Sequence, residues 1–342
     1  MVRDVSKPNA GRVPGPIGSG SPNPTSLHVG PMGSGLAPSP GASAKPFETL
    51  LDDAKEALAK ASASRRNVEH FNAVPPASDR STKSLKVVDW PLFRNRNTSP
   101  PLWDDFTQSN LLLGCALAAV LRSLALTPAG QAFINRVVTQ VPKNKRGKPV
   151  SVELDYTKVT RDPNFVLPKG STSSRILKDD RYFIVQVGGR AQKVSSVFYT
   201  DDSDGVVLLR YMKSPKDVLW ASVIEKAYVQ HLGTQGYAAL EKFFYPARIW
   251  KDIVGKLPTQ KHLARASNAE ITRIADKANR IPTIATSKPL RQASSVTPDH
   301  GYSVHDYSRG KLVLSDPIDT KKVTMNIKEF RQNFTDFYYG MP

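Results

Sequence analysis

The stretch Gln108-Ser109-Asn110-Leu111-Leu112-Leu113-Gly114-Cys115-Ala116-Leu117-Ala118-Ala119-Val120-Leu121 holds the only cysteine in the chain. A polar turn precedes Cys115, and an apolar run follows it as far as Pro128. The pattern reads as a loop entering a buried helix, with the thiol at the helix N-terminus. Unpaired backbone N–H groups and the positive end of the helix dipole gather at such a place, and both favour a thiolate over a thiol. A buried structural cysteine has the same local signature. What separates the two readings lies one hundred and two hundred residues downstream.

The totals set limits first. A chain of 342 residues, 39% hydrophobic and 23% charged, has the size and balance of a globular protein with a substantial core. One cysteine excludes an internal disulfide framework and a cysteine-based zinc cluster, and fits a reducing compartment. No apolar run reaches the ~20 residues that span a bilayer. Proline, glycine and serine interrupt the N-terminus, so it lacks the apolar core of a cleavable signal peptide. The expected location is the cytoplasm of the producing cell, with any delivery outside it or into a host cell using a route that reads no such signal. The net charge of +18 is spread along the chain, whereas a nucleic-acid-binding arm would concentrate it. The short basic run Lys143-Asn144-Lys145-Arg146-Gly147-Lys148 reads as a solvated loop. Nucleic acid is therefore not the expected partner.

Residues 1–46 carry nine prolines and eight glycines. Such a segment buries too little apolar surface to offset its ordering entropy and is expected to be disordered. Phe47, Leu50, Leu51, Ala54 and Leu58 then recur at helical spacing, which predicts an amphipathic helix within residues 47–66. Its apolar face fits docking on the body of the protein, or, over residues 47–60, on a partner such as a secretion chaperone. Residues 67–101 are polar and marked by proline, and read as a linker.

The body is expected from Leu102. After the cysteine helix, Thr127-Pro128 opens a second helix. Short alternating runs at Val150–Leu154, Tyr182–Val187, Val194–Tyr199 and Val206–Tyr211 predict antiparallel strands. The acidic cluster between the last two lacks the spaced glutamate of a calcium loop and reads as a hairpin turn. Trp220, Val223, Ile224, Ala227, Tyr228 and Leu232 share one helical face, with Gly233 as the C-cap. A helix follows over 268–279, and then a strand at Ile281–Ala285. His300–Tyr307 and Lys311–Ser315 form a hairpin that turns at Ser308-Arg309-Gly310. An aromatic-rich segment closes the chain. His305, an odd number of residues from His300, should face away from it and lie at the surface.

Three separated stretches resemble the protease core of the calpain family, cysteine peptidases of the papain fold. Gln108 to Cys115 with Leu117-Ala118-Ala119 approximates the family's Gln-Gly-x-Leu-Gly-Asp-Cys-Trp and its alanine-rich helix. Trp220 through Gly233 resembles Trp-x-x-Leu-Leu-Glu-Lys-Ala-Tyr-Ala-Lys-Leu-x-Gly. His300-Gly301-Tyr302-Ser303-Val304 resembles His-Ala-Tyr-Ser-Val. Asp316-Pro317 stands where the family has Asn-Pro-Trp-Gly. The likeness covers about residues 102–340. Gln108 lies one residue further from the cysteine than the family's glutamine. Gly114 replaces Asp, Ala116 replaces Trp, and no Trp-Gly follows Pro317.

The resemblance implies an α+β, papain-like body of two lobes behind a disordered N-terminal region. A helical lobe, residues 102–245, would carry the cysteine, and an antiparallel β lobe, residues 246–342, the His and Asp. It implies a cysteine endopeptidase acting on protein substrates, with Cys115 as nucleophile, His300 as its acid–base partner and Asp316 orienting the imidazole. Asp306 is the rival for the last role. Gln108 would donate to the oxyanion, with Asn110 or a backbone N–H as alternatives. Calcium accompanies many members of the family, but no residues here are assigned to it. Two other readings stay open at this level: a deamidase or acyl-transfer enzyme on the same scaffold, and a catalytically degenerate protein-binding module. A flexible N-terminus before a catalytic domain also matches the layout of secreted bacterial effectors.

Overall fold

The computed structural model describes residues 68–70, 84–108, 114–141, 150–155, 174–179, 181–201, 208–209, 212–233, 237, 240, 245–289 and 295–342. The segment 1–46 and the helix expected within 47–66, with its chaperone surface, lie outside these residues, as does Asn110. The remainder is a mixed α+β fold. Strands β1 (Val68–His70) and β2 (Ser84–Val87) precede a one-turn helix α1 (Arg94–Asn97) and the short strand β3 (Thr107–Gln108). Helices α2 (Cys115–Ala125) and α3 (Pro128–Val137) follow. Then come β4 (Val138–Gln140), β5 (Val150–Asp155), β6 (Ser174–Asp179), β7 (Tyr182–Val187), β8 (Arg190–Ser195), β9 (Val197–Asp201), β10 (Leu208–Leu209) and β11 (Met212–Lys213). Helices α4 (Trp220–Leu232) and α5 (Pro246–Val254) lead to β12 (Thr259–His262), α6 (Asn268–Asp276) and β13 (Thr283–Ser287). The chain ends with β14 (Gly301–Ser308), β15 (Lys311–Ser315), β16 (Lys322–Met325), α7 (Ile327–Asn333) and β17 (Phe334–Tyr339).

Local chemistry sets the helix ends. Thr127 caps α3 by accepting from the Gly130 N–H, with Pro128 at the first helical position. Ser267 with Glu270 and Asn326 with Glu329 form capping boxes at α6 and α7. Gly233 ends α4 at φ 90°, where a side chain would be strained.

Two hydrophobic clusters form the core. The first gathers α2, α4, β7 and residues from 88 onward, and the second packs α6 and α7 on the C-terminal sheet. That sheet has six strands in the order β12-β17-β13-β14-β15-β16, every neighbouring pair antiparallel. Arg309 and Gly310, both at positive φ, turn β14 into β15 as a tight hairpin favours.

Three expectations need correction. Residues 67–101 are not simply a linker. β2 pairs with β9, and Val88, Leu92 and Phe93 are buried in the first cluster. The carbonyls of Pro91 and Leu92 accept from the N–H groups of Leu219 and Trp220. These apolar residues fall in one short run, Val87-Val88-Asp89-Trp90-Pro91-Leu92-Phe93, which Pro91 breaks before any period is established. Second, Ile249, Trp250 and Ile253 of α5 also belong to the first cluster, so packing does not divide at 245/246. Third, His305 is buried. Strand β14 is covered on both faces, and a register shift between Val304 and Asp306 places His305 edge-on to Trp103, ring centroids 4.8 Å apart.

Candidate active site

The hairpin of β14 and β15 brings the start of one strand beside the end of the other, with Ser303 opposite Ser315. His300 enters β14 and Asp316 leaves β15, so sixteen residues of separation collapse to a hydrogen bond. His300 Nε2 lies 2.8 Å from Asp316 Oδ1. The main chain of His300 is pinned as well. Its N–H donates to Ser287 Oγ, and its carbonyl accepts from the Ser287 N–H, both at 2.9 Å.

Helix α2 lies against β14, and the contact is close because the facing residues are small. A Cβ placed on Gly301 would stand 3.2 Å from Ala119 Cβ, 3.3 Å from the Cys115 carbonyl and 3.4 Å from Ala116 Cα. Gly301, Ala116 and Ala119 therefore allow the helix N-terminus to reach the strand that carries His300. The Cys115 thiol is close enough to the His300 ring to help raise its pKa. With Nε2 taken by Asp316, Nδ1 is the nitrogen left for the sulfur. Cys115 and His300 are both buried, 3% and 5% exposed, so little water competes.

Electrostatics follow from these contacts. Burial alone pulls the His300 imidazole down, but the hydrogen bonds and charges of Asp316 and Cys115 outweigh it and raise its pKa to about 9. Burial pushes the Asp316 carboxyl up, yet His300 and the Ile318 N–H hold it below its usual range. The Ile318 N–H donates to Oδ1 at 2.9 Å, and the Thr297 hydroxyl lies 3.4 Å from Oδ2. Tyr302, whose hydroxyl accepts from the Thr297 N–H, lies near enough to help lower the Asp316 pKa. Asp306 has no such role: its Oδ1 is buried and finds no hydrogen-bond partner among the described residues.

Gln108 is buried at the end of β3, opposite Met212 of β11. Its backbone N–H donates to the Pro317 carbonyl at 2.6 Å, which ties this strand to the residue after Asp316. At the N-terminus of α2 no side chain caps the helix, so its first N–H groups carry the dipole's positive end unshared by a cap. Next to His300, Asp299 lines a cavity of about 360 Å³ with Thr286, Ser287, Tyr245, Asp336 and Tyr338.

The sequence reading missed Arg122, which is fully buried in α2. The signal was present: it is the one charge in the apolar run after Cys115. It also missed that Glu225 and Lys226 are buried with the apolar face of α4. Lys226 Nζ donates to Ser195 and to the Val197 carbonyl, and burial raises the Glu225 pKa to about 8. Among the described residues no group of three or more His, Cys, Asp or Glu side chains is placed to hold a metal ion, so no donor set for calcium is found there. No single helix among them is long and apolar enough to cross a membrane. Compared with protein-family models the chain matches none, and no curated protein matches it.

Proposed function

We propose that this chain is a calpain-like cysteine endopeptidase of the papain fold, its two lobes built on the two hydrophobic clusters. The observation that carries this is the His300 ring, hydrogen-bonded to Asp316 through Nε2 and near enough to the buried Cys115 thiol for that thiol to help raise its pKa. A buried structural cysteine needs no such partner.

In this reading the Cys115 thiolate attacks a peptide carbonyl carbon, and the carbonyl π pair moves to oxygen. The backbone N–H of Cys115 and the Gln108 amide stabilise that oxyanion; losing one such donor typically costs ~10²–10³ in rate. The tetrahedral species collapses, the C–N bond breaks, and the Nδ1 proton of His300 passes to the leaving amine. Water then attacks the thioester, giving its proton back to His300 and releasing the acid and Cys115. Asp316 holds the imidazole in one orientation and favours its charged form throughout.

The test compares wild type with Cys115→Ala and His300→Ala for self-cleavage, cleavage of an unstructured protein and iodoacetamide labelling. Fast labelling near neutral pH that requires His300, with cleavage lost in both variants, is expected. Labelling at the rate of a free thiol in solution, unchanged by His300→Ala, would overturn the reading. Ammonia release from a glutamine-rich protein without chain cleavage would reassign the same thiol to deamidation.

A further inference from the structure

Arg122 lies seven residues after Cys115, two helical turns along one face of α2. Its guanidinium is 0% exposed and reaches two other chain segments. One amino group, Nη1, donates to the main-chain carbonyl of Asp316 at 2.5 Å and lies 3.5 Å from Ser315 Oγ. The other, Nη2, donates to the Phe106 carbonyl at 2.9 Å. The Trp103 and Phe106 rings pack against the cation, 5.7 and 5.6 Å from its carbon. Thus one planar fork joins the helix that begins at Cys115, the residue that orients His300, and the residue just before the strand that ends at Gln108.

Burying a guanidinium carries a large desolvation cost. The neighbours of Arg122 on α2 are alanine, leucine, valine and serine, and an apolar side chain would fill the same space without that cost. What the guanidinium adds is directional. Two rigidly spaced donors fix two carbonyls relative to the helix, which a flexible ammonium or an apolar group does not do. Burial lowers its pKa to about 10, against the opposing charges of Asp316, Asp319 and Asp104, so it remains a cation at neutral pH.

We propose that Arg122 is a positioning residue: it sets the Asp316 main chain against the Cys115 helix, and so fixes how the His300 ring meets the sulfur. This rests on the reading of Cys115, His300 and Asp316 as one reacting set.

The test uses Arg122→Met and Arg122→Lys in the full chain, with folding checked by circular dichroism and thermal melting. Readouts are the pH dependence of iodoacetamide labelling of Cys115, the NMR titration of the His300 ring, and peptide cleavage. In Arg122→Met, cleavage should lose ~10²-fold in kcat with KM unchanged, as displacing a reacting group by about 1 Å does. The His300 midpoint should fall from about 9, and Arg122→Lys should lie between. A folded Arg122→Met with wild-type labelling and titration would overturn the proposal. If neither variant folds, the wild type decides: the Arg122 Nη resonances should shift with the His300 midpoint, and their indifference to it would equally overturn the proposal. Labelling of wild type that ignores His300→Ala would instead sink the peptidase reading, while the His300 titration would still judge Arg122.

Discussion

His300 Nε2 sits 2.8 Å from Asp316 Oδ1, which leaves Nδ1 as the ring nitrogen available to Cys115. That bond sets the pH range of the site. The His300 pKa is raised from 6.5 to about 9, so its contribution to stability is complete below 6.5 and fades as pH climbs through about 9. The Asp316 pKa is lowered from 3.8, so its contribution is complete above 3.8 and fades as pH falls through the folded-state value. Between these limits the charged pair is intact. Asp316→Asn keeps an acceptor for the ring but removes the charge. It should move the alkaline limb of peptide cleavage, and the His300 titration, down by at least about one unit. Rates measured from pH 5 to 10 check this, and an unmoved limb would mean that Asp316 does not hold the imidazolium.

Gly301 stands where α2 meets β14. A methyl group there would press on Ala119, Ala116 and the Cys115 carbonyl at 3.2–3.4 Å, closer than such atoms ordinarily pack. Gly301→Ala should force the helix N-terminus off the strand, destabilising the fold by roughly 1–3 kcal/mol. The same displacement carries Cys115 away from His300, so labelling of the thiol should slow while chemical unfolding shifts to lower denaturant. Val304→Ala, deeper in the same strand, serves as control. It leaves a cavity that lowers stability, but it does not stand between sulfur and ring. Equal slowing of labelling in both variants would count against the close-approach argument.

The parts of this architecture that sequence made legible are those written in local periodicity or turn chemistry. Helix α4 was readable because its apolar residues repeat at helical spacing and Gly233 stops it. The β14–β15 hairpin was readable because alternation flanks Arg309-Gly310, and a hairpin necessarily brings residue 300 near residue 316. Polar residues whose partners are remote were not readable. Arg122 stands out as a lone charge in an apolar run, but nothing near position 122 says that its partner is a carbonyl 194 positions away. His305 was placed at the surface by alternation, which says which side a residue takes but not what covers that side. Residues 84–93 join the body through the β2–β9 pairing and through Val88, Leu92 and Phe93, in a run too short for local composition to separate it from a linker.

Asp105 shows how much stability such a remote contact carries. It is 0% exposed and accepts from Trp220 Nε1 and from the Leu102 N–H, both at 2.8 Å, and from Arg94. Asp105→Leu would strand the indole and the backbone donor without acceptors, each at about 1–3 kcal/mol. Arg94, a quarter exposed and still paired with Asp104, should lose little. The urea midpoint should drop by an amount equal to about 2–6 kcal/mol with an unchanged slope. Asp105→Asn, which retains an acceptor, should recover part of it.

His305 adds to the slope on the acid side of the stability curve. Burial, with Lys322 and Arg122 nearby, lowers its pKa from 6.5 to about 3, and its Nε2 is buried with no hydrogen-bond partner among the described residues. Below pH 6.5 the unfolded chain binds a proton at this position that the folded chain refuses. Stability should therefore fall as pH drops from 6.5 toward 3, by up to about 1.4 kcal/mol per unit from this residue. His305→Phe keeps an aromatic ring edge-on to Trp103 and removes the titration. Its unfolding free energy should decline less steeply than that of wild type between pH 6.5 and 4, with the two curves parallel above pH 7. Parallel curves below pH 6.5 as well would mean that His305 takes up its proton in the folded protein, and that the contact with Trp103 opens to admit it.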